Sequence, residues 1–500
     1  MAKGFLTADR DQQYLLPPDM RDWLPEGHFV WFLIDVIDGL DMTGFEAKSR
    51  LGGAGRAPYD PRTLLAVLVY GYSRGIRSSR RLEAECLTDA ALRVITGDDP
   101  PDHCTIARFR ARHDDQLGGL FTQVLALCSS AGMVKLGIVA LDGTRIAANA
   151  SKDRNASSER LHGLLHDQAR AILDEAAAVD AAEDELFGDA RGDEIDPQFV
   201  GPGAAAKIKK LIEELEAEQA ASGDQEDKAA EFIAAAADPE IALFRGRAPR
   251  GTDPVKLAKA KLARARTIEQ RKPRPNPGSA GIRNAKDAVA KARRQRWSPP
   301  PPAATPVRNL TDPDSRLIHT RNGWIQGYNA QLAVSEDHYI IAAELTASPN
   351  DNAQFIPMMH AIEAAATMIN NNGADQQEIG TIIADAGYHS QANLAEPGPD
   401  RLIAAGKSLA VSKQAASQPT DGPPPPAANA SEANAHRLRT PEGLKLYRKR
   451  GATVEPVNGH LKDNTGLRAM SRRGIAAANS ELKLAAATLN LTKLHRARLA

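Results

Sequence analysis

Two apolar runs end in an aspartate at the same relative place, each ahead of a glycine-containing turn: Ile138-Val-Ala-Leu-Asp142-Gly-Thr and Thr381-Ile-Ile-Ala-Asp385-Ala-Gly. Their length and β-branching read as short buried strands. Neighbouring strands bring such side chains to one edge of a sheet. Two carboxylates held together repel, and a bound divalent cation reverses that cost. Oxygen-only ligands suit Mg²⁺ or Mn²⁺ rather than zinc. A third acid on a later helix, Glu455, completes a site for two metal ions about 3.5–4 Å apart. Such a site activates an attacking water or 3′-hydroxyl and stabilises the leaving oxygen of a phosphodiester. Taken singly, an aspartate at a strand end is more often a turn or cap residue. The coincidence of two such ends with a basic helix after them is what points to catalysis.

The helix that carries Glu455 also carries cations. Glu455 and Lys462 are seven residues apart, so they share one face about two turns distant. The Lys462 ammonium suits a phosphate as a point charge, and Arg450 suits one bidentately. Tyr447, taken alone, reads as a packing residue, and Lys462 as a solvated one. Asp312, Asp314 and Asp351 lie near strand or helix starts, where N-capping accounts for them. His389 reads as a loop histidine, His103-Cys104 as a turn–helix junction, and the Gly-rich 51–55 as a loop.

These groups sit in a chain of 500 residues with 63 basic and 63 acidic side chains. The zero total conceals segregation. Residues 161–244 hold 21 acidic against 6 basic side chains, 245–296 hold 17 basic against 3 acidic, and 437–500 hold 14 basic against 4 acidic. Basic blocks of that density attract a polyanion such as DNA. The 161–296 blocks can equally be solvated helices that pair with each other, within one chain or between protomers. No apolar stretch approaches the roughly 18 residues of a membrane span, and the N-terminus lacks a secretory apolar core. Cys86, Cys104 and Cys128 form no CxxC pair, which argues against a disulfide scaffold and a cysteine-ligated zinc.

The elements that must position the acids follow from periodicity. Residues 1–130 read as a helical domain, with helices from Pro61 behind an Asp60 cap, at 79–88, and from Thr105 after the break at 97–103. The last carries Arg108, Arg110 and Arg112, a pattern compatible with a helix-turn-helix DNA reader. The first strand falls in 131–152. A charged, Ala-rich helical insertion at 153–308 follows, with helices at 204–221 and 255–270 and a stiff Pro-rich spacer at 298–302. The core resumes over 309–411 with strands at 328–334, 339–345, 380–385 and 409–411 and a helix at 353–370. The low-complexity stretch at 412–434 reads as a disordered linker. The 435–500 segment holds helices at 451–462 and 476–498. The fold class is α/β with a mixed sheet, and no GxGxxG or GxxxxGK[ST] phosphate loop occurs.

Asp142-Gly-Thr, Asp385-Ala-Gly-Tyr388 and the run Tyr447-Arg-Lys-Arg450-Gly-Ala-Thr-Val-Glu455-Pro-Val-Asn-Gly-His-Leu-Lys462 together resemble the signature of bacterial insertion-sequence DDE transposases with a Tyr-Arg-Glu-Lys motif. Two residues separate Tyr447 from Arg450 and six separate Glu455 from Lys462, as in that group. Four residues lie between Arg450 and Glu455, where three are typical. Tyr59-Asp-Pro, Thr105-Ile-Ala-Arg-Phe-Arg and Thr311-Asp-Pro-Asp-Ser-Arg316 ahead of Gly327-Tyr-Asn-Ala-Gln331 extend the likeness over most of the chain outside 152–308 and 412–434. The resemblance implies an RNase H-like catalytic core with Asp142, Asp385 and Glu455 as catalytic metal ligands for Mg²⁺ or Mn²⁺. It implies DNA contacts from Tyr447, Arg450 and Lys462, and double-stranded DNA as partner at both element ends and target. It further implies a dimer or larger assembly in the bacterial cytoplasm, at the nucleoid, with no membrane. The alternative is a catalytically inactive, transposase-derived DNA-binding protein or repressor, against which the presence of all three acids argues.

Overall fold

The computed structural model describes residues 19–48, 58–161, 210–218, 231–239, 252–294, 306–320 and 323–499. The 51–55 loop, the 298–302 spacer and the ends of the 204–221 helix lie outside the described residues. Two units emerge: residues 1–152 with 312–500, and residues 153–311.

In the first unit, seven α-helices among the described residues precede the first strand: α1 (Phe29–Asp38), α2 (Thr43–Glu46), α3 (Pro61–Ser73), α4 (Ser79–Thr88), α5 (Ala90–Thr96), α6 (His103–Arg112) and α7 (Asp114–Ser130). Local chemistry sets their starts. Asp60 accepts the Arg62 N–H ahead of Pro61, Asp89 accepts those of Ala91 and Leu92, and Asp102 accepts that of Thr105. The stretch at 90–96, to which the sequence reading gave no element, is a helix because Asp89 caps it and Gly97, at φ +60°, ends it.

Among the described residues the sheet of this unit has six strands: β1 (Ile138–Ala147), β2 (Arg316–Thr320), β3 (Gly323–Ser335), β4 (Ile340–Thr346), β5 (Thr381–Ala384) and β6 (Asp400–Ile403). The order is β2-β3-β1-β5-β6, and β4 also pairs with β3. Pairing is antiparallel from β1 to β3 and onward to β2 and β4, and parallel from β1 to β5 and from β5 to β6. The central strands are apolar and buried, as parallel strands covered on both faces must be. Helix α8 (Phe355–Asn372) joins β4 to β5, and α9 (Gln391–Ala395) joins β5 to β6.

Two sequence readings are corrected here. Residues 409–411 belong to helix α10 (Ser408–Ser417), and the strand lies earlier, at β6, where Asp400-Arg-Leu-Ile pairs beside β5. The apolar trio Leu409-Ala-Val411 is too short for its period to decide between the two states. The 412–434 stretch is not a structureless linker either. Helix α10 enters it, and α11 (Ala430–Arg437) starts inside it with a complete capping box between Asn429 and Glu432.

Two long helices close the unit, α12 (Pro441–Asp463) and α13 (Ile475–Leu499). Helix α13 is buried on every side, packing against α7, α3 and β4. Asn490 donates to the Ile340 carbonyl at 2.8 Å and accepts its N–H at 3.0 Å, so the helix supplies partners to β4. No helix among the described residues is long and apolar enough to cross a membrane.

In the second unit, helices Pro254–Gln270 and Ala280–Arg294 pack through a thin seam of Ala258, Val289 and Ala292, with Val255 and Leu262 alongside. Lys256, Lys259, Lys261 and Arg283 on these helices are exposed.

Candidate active site

Strand register places the first two acids. Leu141 pairs with Ala384 as the last step of the parallel β1–β5 ladder, and the next residues on the two strands are Asp142 and Asp385. Only the β5 chain leaves the sheet there; β1 runs on to Ala147, so the strand that the sequence reading ends at Asp142 is longer than expected. Asp385 begins a 3-10 turn (Ala386–Tyr388) and its Oδ1 accepts the Gly387 N–H at 2.8 Å. Asp142 remains in β1, opposite Leu332 of β3.

Helix α12 crosses this edge. Thr440 caps it and Pro441 fills its first turn, while Tyr447, Val454, Val457 and Leu461 face the core. Pro456, directly after Glu455, removes one N–H from the helical ladder. The helix occupies both oxygens of Asp142. Arg450 Nη1 lies 3.3 Å from Oδ1, and Asn458 Nδ2 donates to Oδ2 at 3.0 Å. Arg450 Nη2 also stands 4.0 Å from Glu455 Oε1, so one guanidinium lies between two of the acids.

Burial governs the electrostatics. It pushes the Asp142 carboxyl up to about 6; Arg450 opposes the rise, and Asp385 and Asp351 add to it. Burial works against the Arg450 charge too, but Asp142, Tyr447 and Asp385 hold its pKa above the usual arginine value. Lys462 is lowered by burial and by Arg468, while Asp142 favours its ammonium. The Tyr388 hydroxyl is raised far above its usual range by burial first and then by Asp351, Asp142 and Asp385. Those four groups therefore share one electrostatic neighbourhood.

The third acid stands apart from the pair. Glu455 has a side chain 72% exposed, and its contact with the others runs through Arg450. Among the described residues no three His, Cys, Asp or Glu side chains lie close enough to hold one ion. The donors present at Asp142 nonetheless fit a hard cation. They are all oxygen, two carboxylates adjoin, and the Asn458 Oδ1 is buried with no hydrogen-bond partner beside them.

Two proposed DNA contacts are corrected by their burial. Tyr447 is 4% exposed and packs with Ile138, Ile383 and Leu402, its hydroxyl 3.4 Å from Ser408 Oγ. An aromatic ring at that helix position fills the core beneath the sheet edge, so no phosphate reaches it. Arg110 is likewise inside. It donates to the Arg77 carbonyl, Tyr72 Oη and Ser471 Oγ at 2.9–3.0 Å and pairs with the fully buried carboxylate of Glu481. Arg77 Nη1 lies 2.8 Å from the same Glu481 oxygen. Arg108 and Arg112, on the other faces of α6, are exposed.

Sequence reasoning missed Asp351 and Arg145. The aspartate was read as an N-cap, but its side chain caps no helix. It accepts instead from Arg145, Asn329 and Gln331. Arg145 lies three residues after Asp142 in β1, the one signal that could have found it. Asp312 and Asp314 do serve a helix start, but a distant one: they accept the N–H groups of Gly474 and Ile475 at the head of α13, and Asp312 is fixed by Tyr328 Oη as well. His103 pairs with Glu83, and His389 lies 3.4 Å from Ser431 Oγ.

Known families match two stretches of the chain. Residues 18–112 match a transposase domain (DUF772), and residues 293–491 match a transposase DDE domain. Two stretches of the chain are thus similar to transposase domains, one of them of the DDE type. No curated protein and no solved structure matches it. The DDE-domain match contains Asp385, Arg450, Glu455 and Lys462, whereas Asp142 lies before it, across the second unit. The first transposase domain contains Arg108, Arg110 and Arg112.

Proposed function

We propose that the protein is a DNA transposase that cuts and joins the ends of an insertion sequence by direct phosphoryl transfer, using a divalent cation held by Asp142, Asp385 and Glu455. The observation that carries this reading is the pair Asp142 and Asp385 directly after the last step of the parallel β1–β5 ladder, with α12 supplying Arg450 and Asn458 to the first of them. Three antiparallel strands on one side of β1 and two parallel ones on the other support an RNase H-like core. The two transposase-domain matches support DNA as the substrate.

When bound, Mg²⁺ or Mn²⁺ would supply the positive charge that two adjoining carboxylates need and the Lewis acidity that phosphodiester chemistry draws on. The chain's own residues do the rest. Asp142 and Asp385 would hold the cation beside the β1–β5 ladder, and Glu455, on an exposed side chain of the helix that crosses it, would complete the ligand set. Arg450 then leaves Glu455 for the DNA backbone, where its fork matches a phosphate, and Lys462 adds a second charge on the same helix. Arg108 and Arg112 bind DNA from the exposed side of α6, and two copies bring two element ends together.

The test is strand cleavage and joining on DNA carrying the element's ends, with Asp385→Asn beside the wild type. Cleavage lost with DNA binding retained supports the assignment. Undiminished turnover sinks it, and a wild type that binds these ends but never cuts them favours the inactive binder.

A further inference from the structure

Asp351 occupies the loop between β4 and the 3-10 turn Asn352–Gln354, and it touches both catalytic turns. A Cβ added at Gly143, the residue after Asp142, would stand 2.3 Å from Asp351 Oδ1. One added at Gly387, two residues after Asp385, would stand 3.2 Å from Asp351 Oδ2 and 2.9 Å from Asp385 Oδ1. Any larger residue at Gly143 would drive the loop away from the site. The carboxylate of Asp351 is therefore wedged against the backbones that carry the two acids.

Its own position is fixed from three directions. Arg145 Nη1 and Nη2 reach its two oxygens at 3.2 and 3.3 Å, and Nη2 also donates to the Pro349 carbonyl at 2.8 Å. Asn329 and Gln331, both buried on β3, donate to Oδ1 at 2.7 and 2.9 Å. Gln331 Oε1 in turn accepts from Tyr388 Oη, at the end of the turn that Asp385 begins. The network thus runs from β1 through β3 and the loop to the turn after β5. Its members have few free lone pairs or protons left, which suits a rigid spacer better than a ligand.

We propose that Asp351 and Arg145 form a positioning pair that sets the separation of Asp142 and Asp385, and through it the affinity of the site for its divalent cation. The inference rests on the transposase reading given above. Asp351 does not touch the ion; it holds apart the backbones of the residues that do. Outer-shell partners of this kind change metal affinity by about 10–100-fold when removed.

The experiment measures Mn²⁺ binding to the full-length protein without DNA, by the loss of the free-ion electron paramagnetic resonance signal, well below the melting temperature of each variant. Asp385→Asn is the reference. If it leaves Mn²⁺ binding unchanged, the metal-site reading itself fails. Given that it abolishes binding, Asp351→Asn is expected to weaken Mn²⁺ by about 10-fold, with DNA binding unchanged. Arg145→Lys, which keeps the charge but loses the fork, is expected to weaken it similarly and carries the test should Asp351→Asn not fold. Wild-type Mn²⁺ affinity with only a lowered melting temperature would overturn the proposal, because it would leave a structural role alone. Abolition by Asp351→Asn equal to that of Asp385→Asn would overturn it too, because it would make Asp351 a ligand.

Discussion

Arg450 meets Asp142 at 3.3 Å although 308 positions separate them in the chain, and both side chains are largely shielded from water, at 14% and 18% exposure. A partly buried ion pair of this kind contributes less than its geometry suggests, but removing one partner strands the other. Arg450→Ala is therefore expected to lower the unfolding free energy by about 2–4 kcal/mol in urea, whereas the double variant with Asp142→Asn recovers much of that loss. Strictly additive losses in the double variant would show that the pair has no coupling.

The raised Asp142 carboxyl gives a signed pH dependence. In the unfolded chain this group ionises near its ordinary value of 3.8, and in the fold at about 6. Its contribution is neutral below both values, and stability falls as pH rises through that window, by roughly 3 kcal/mol at full ionisation. The Asp142→Asn variant lacks the titration, so the difference in melting temperature between variant and wild type should grow in the variant's favour from pH 4 to pH 7. Millimolar Mg²⁺ at pH 7.5 should then narrow that difference by stabilising the wild type alone. A difference that stays flat across the window would remove the assigned environment of Asp142.

Arg110 and its neighbours on α6 separate by assay. Arg108→Ala and Arg112→Ala are each expected to flatten the salt dependence of DNA binding by about one phosphate contact, with little change in stability. Arg110→Ala is expected to destabilise the fold by about 3–5 kcal/mol, since it leaves Glu481 buried with less compensation, and to act on DNA only through unfolding. Salt titrations of all three variants at a temperature where each is folded would decide. An Arg110→Ala protein as stable as wild type with a reduced salt slope would restore the DNA contact.

Asn458 probes the other oxygen of Asp142. Asn458→Leu removes a hydrogen bond to a charged group and also eliminates the unpartnered Asn458 Oδ1, so the two effects oppose each other in stability, leaving a net change of about 1–2 kcal/mol or less. The cation response should not cancel. Half-saturation of cleavage by Mg²⁺ is expected to rise about 10-fold, because Asp142 loses a group that orients it. Half-saturation identical to wild type would confine Asn458 to packing.

The elements were legible where chemistry is local. Asp60-Pro61, Asp102 and the β-branched runs before Asp142 and Asp385 announce their elements within a few residues. The neighbouring placement of Asp142 and Asp385 was legible, because an aspartate after each of two apolar runs points to adjacent strands, although only the second run ends its strand there. What stayed hidden depends on distant partners. Tyr447 and Arg110 carry a phosphate-binding residue's chemistry, and only the packing of Ile383 or Glu481 against them reveals a core role. Asp351 looked like a cap because its partners Arg145, Asn329 and Gln331 come from two other strands. The missed strand β6 is four residues long, and its neighbour β5 rather than its own period fixes it.

Helix α13 joins what the rest of the first unit leaves open, lying against both the N-terminal helices and β4. A chain stopped before Ile475 therefore leaves the apolar faces of both the N-terminal helices and β4 without their cover, and it would be an aggregation-prone fragment. Decay of such a gene by truncation would erase the product outright. A surviving repressor would have to arise by substitution at the acids, with the last helix kept whole.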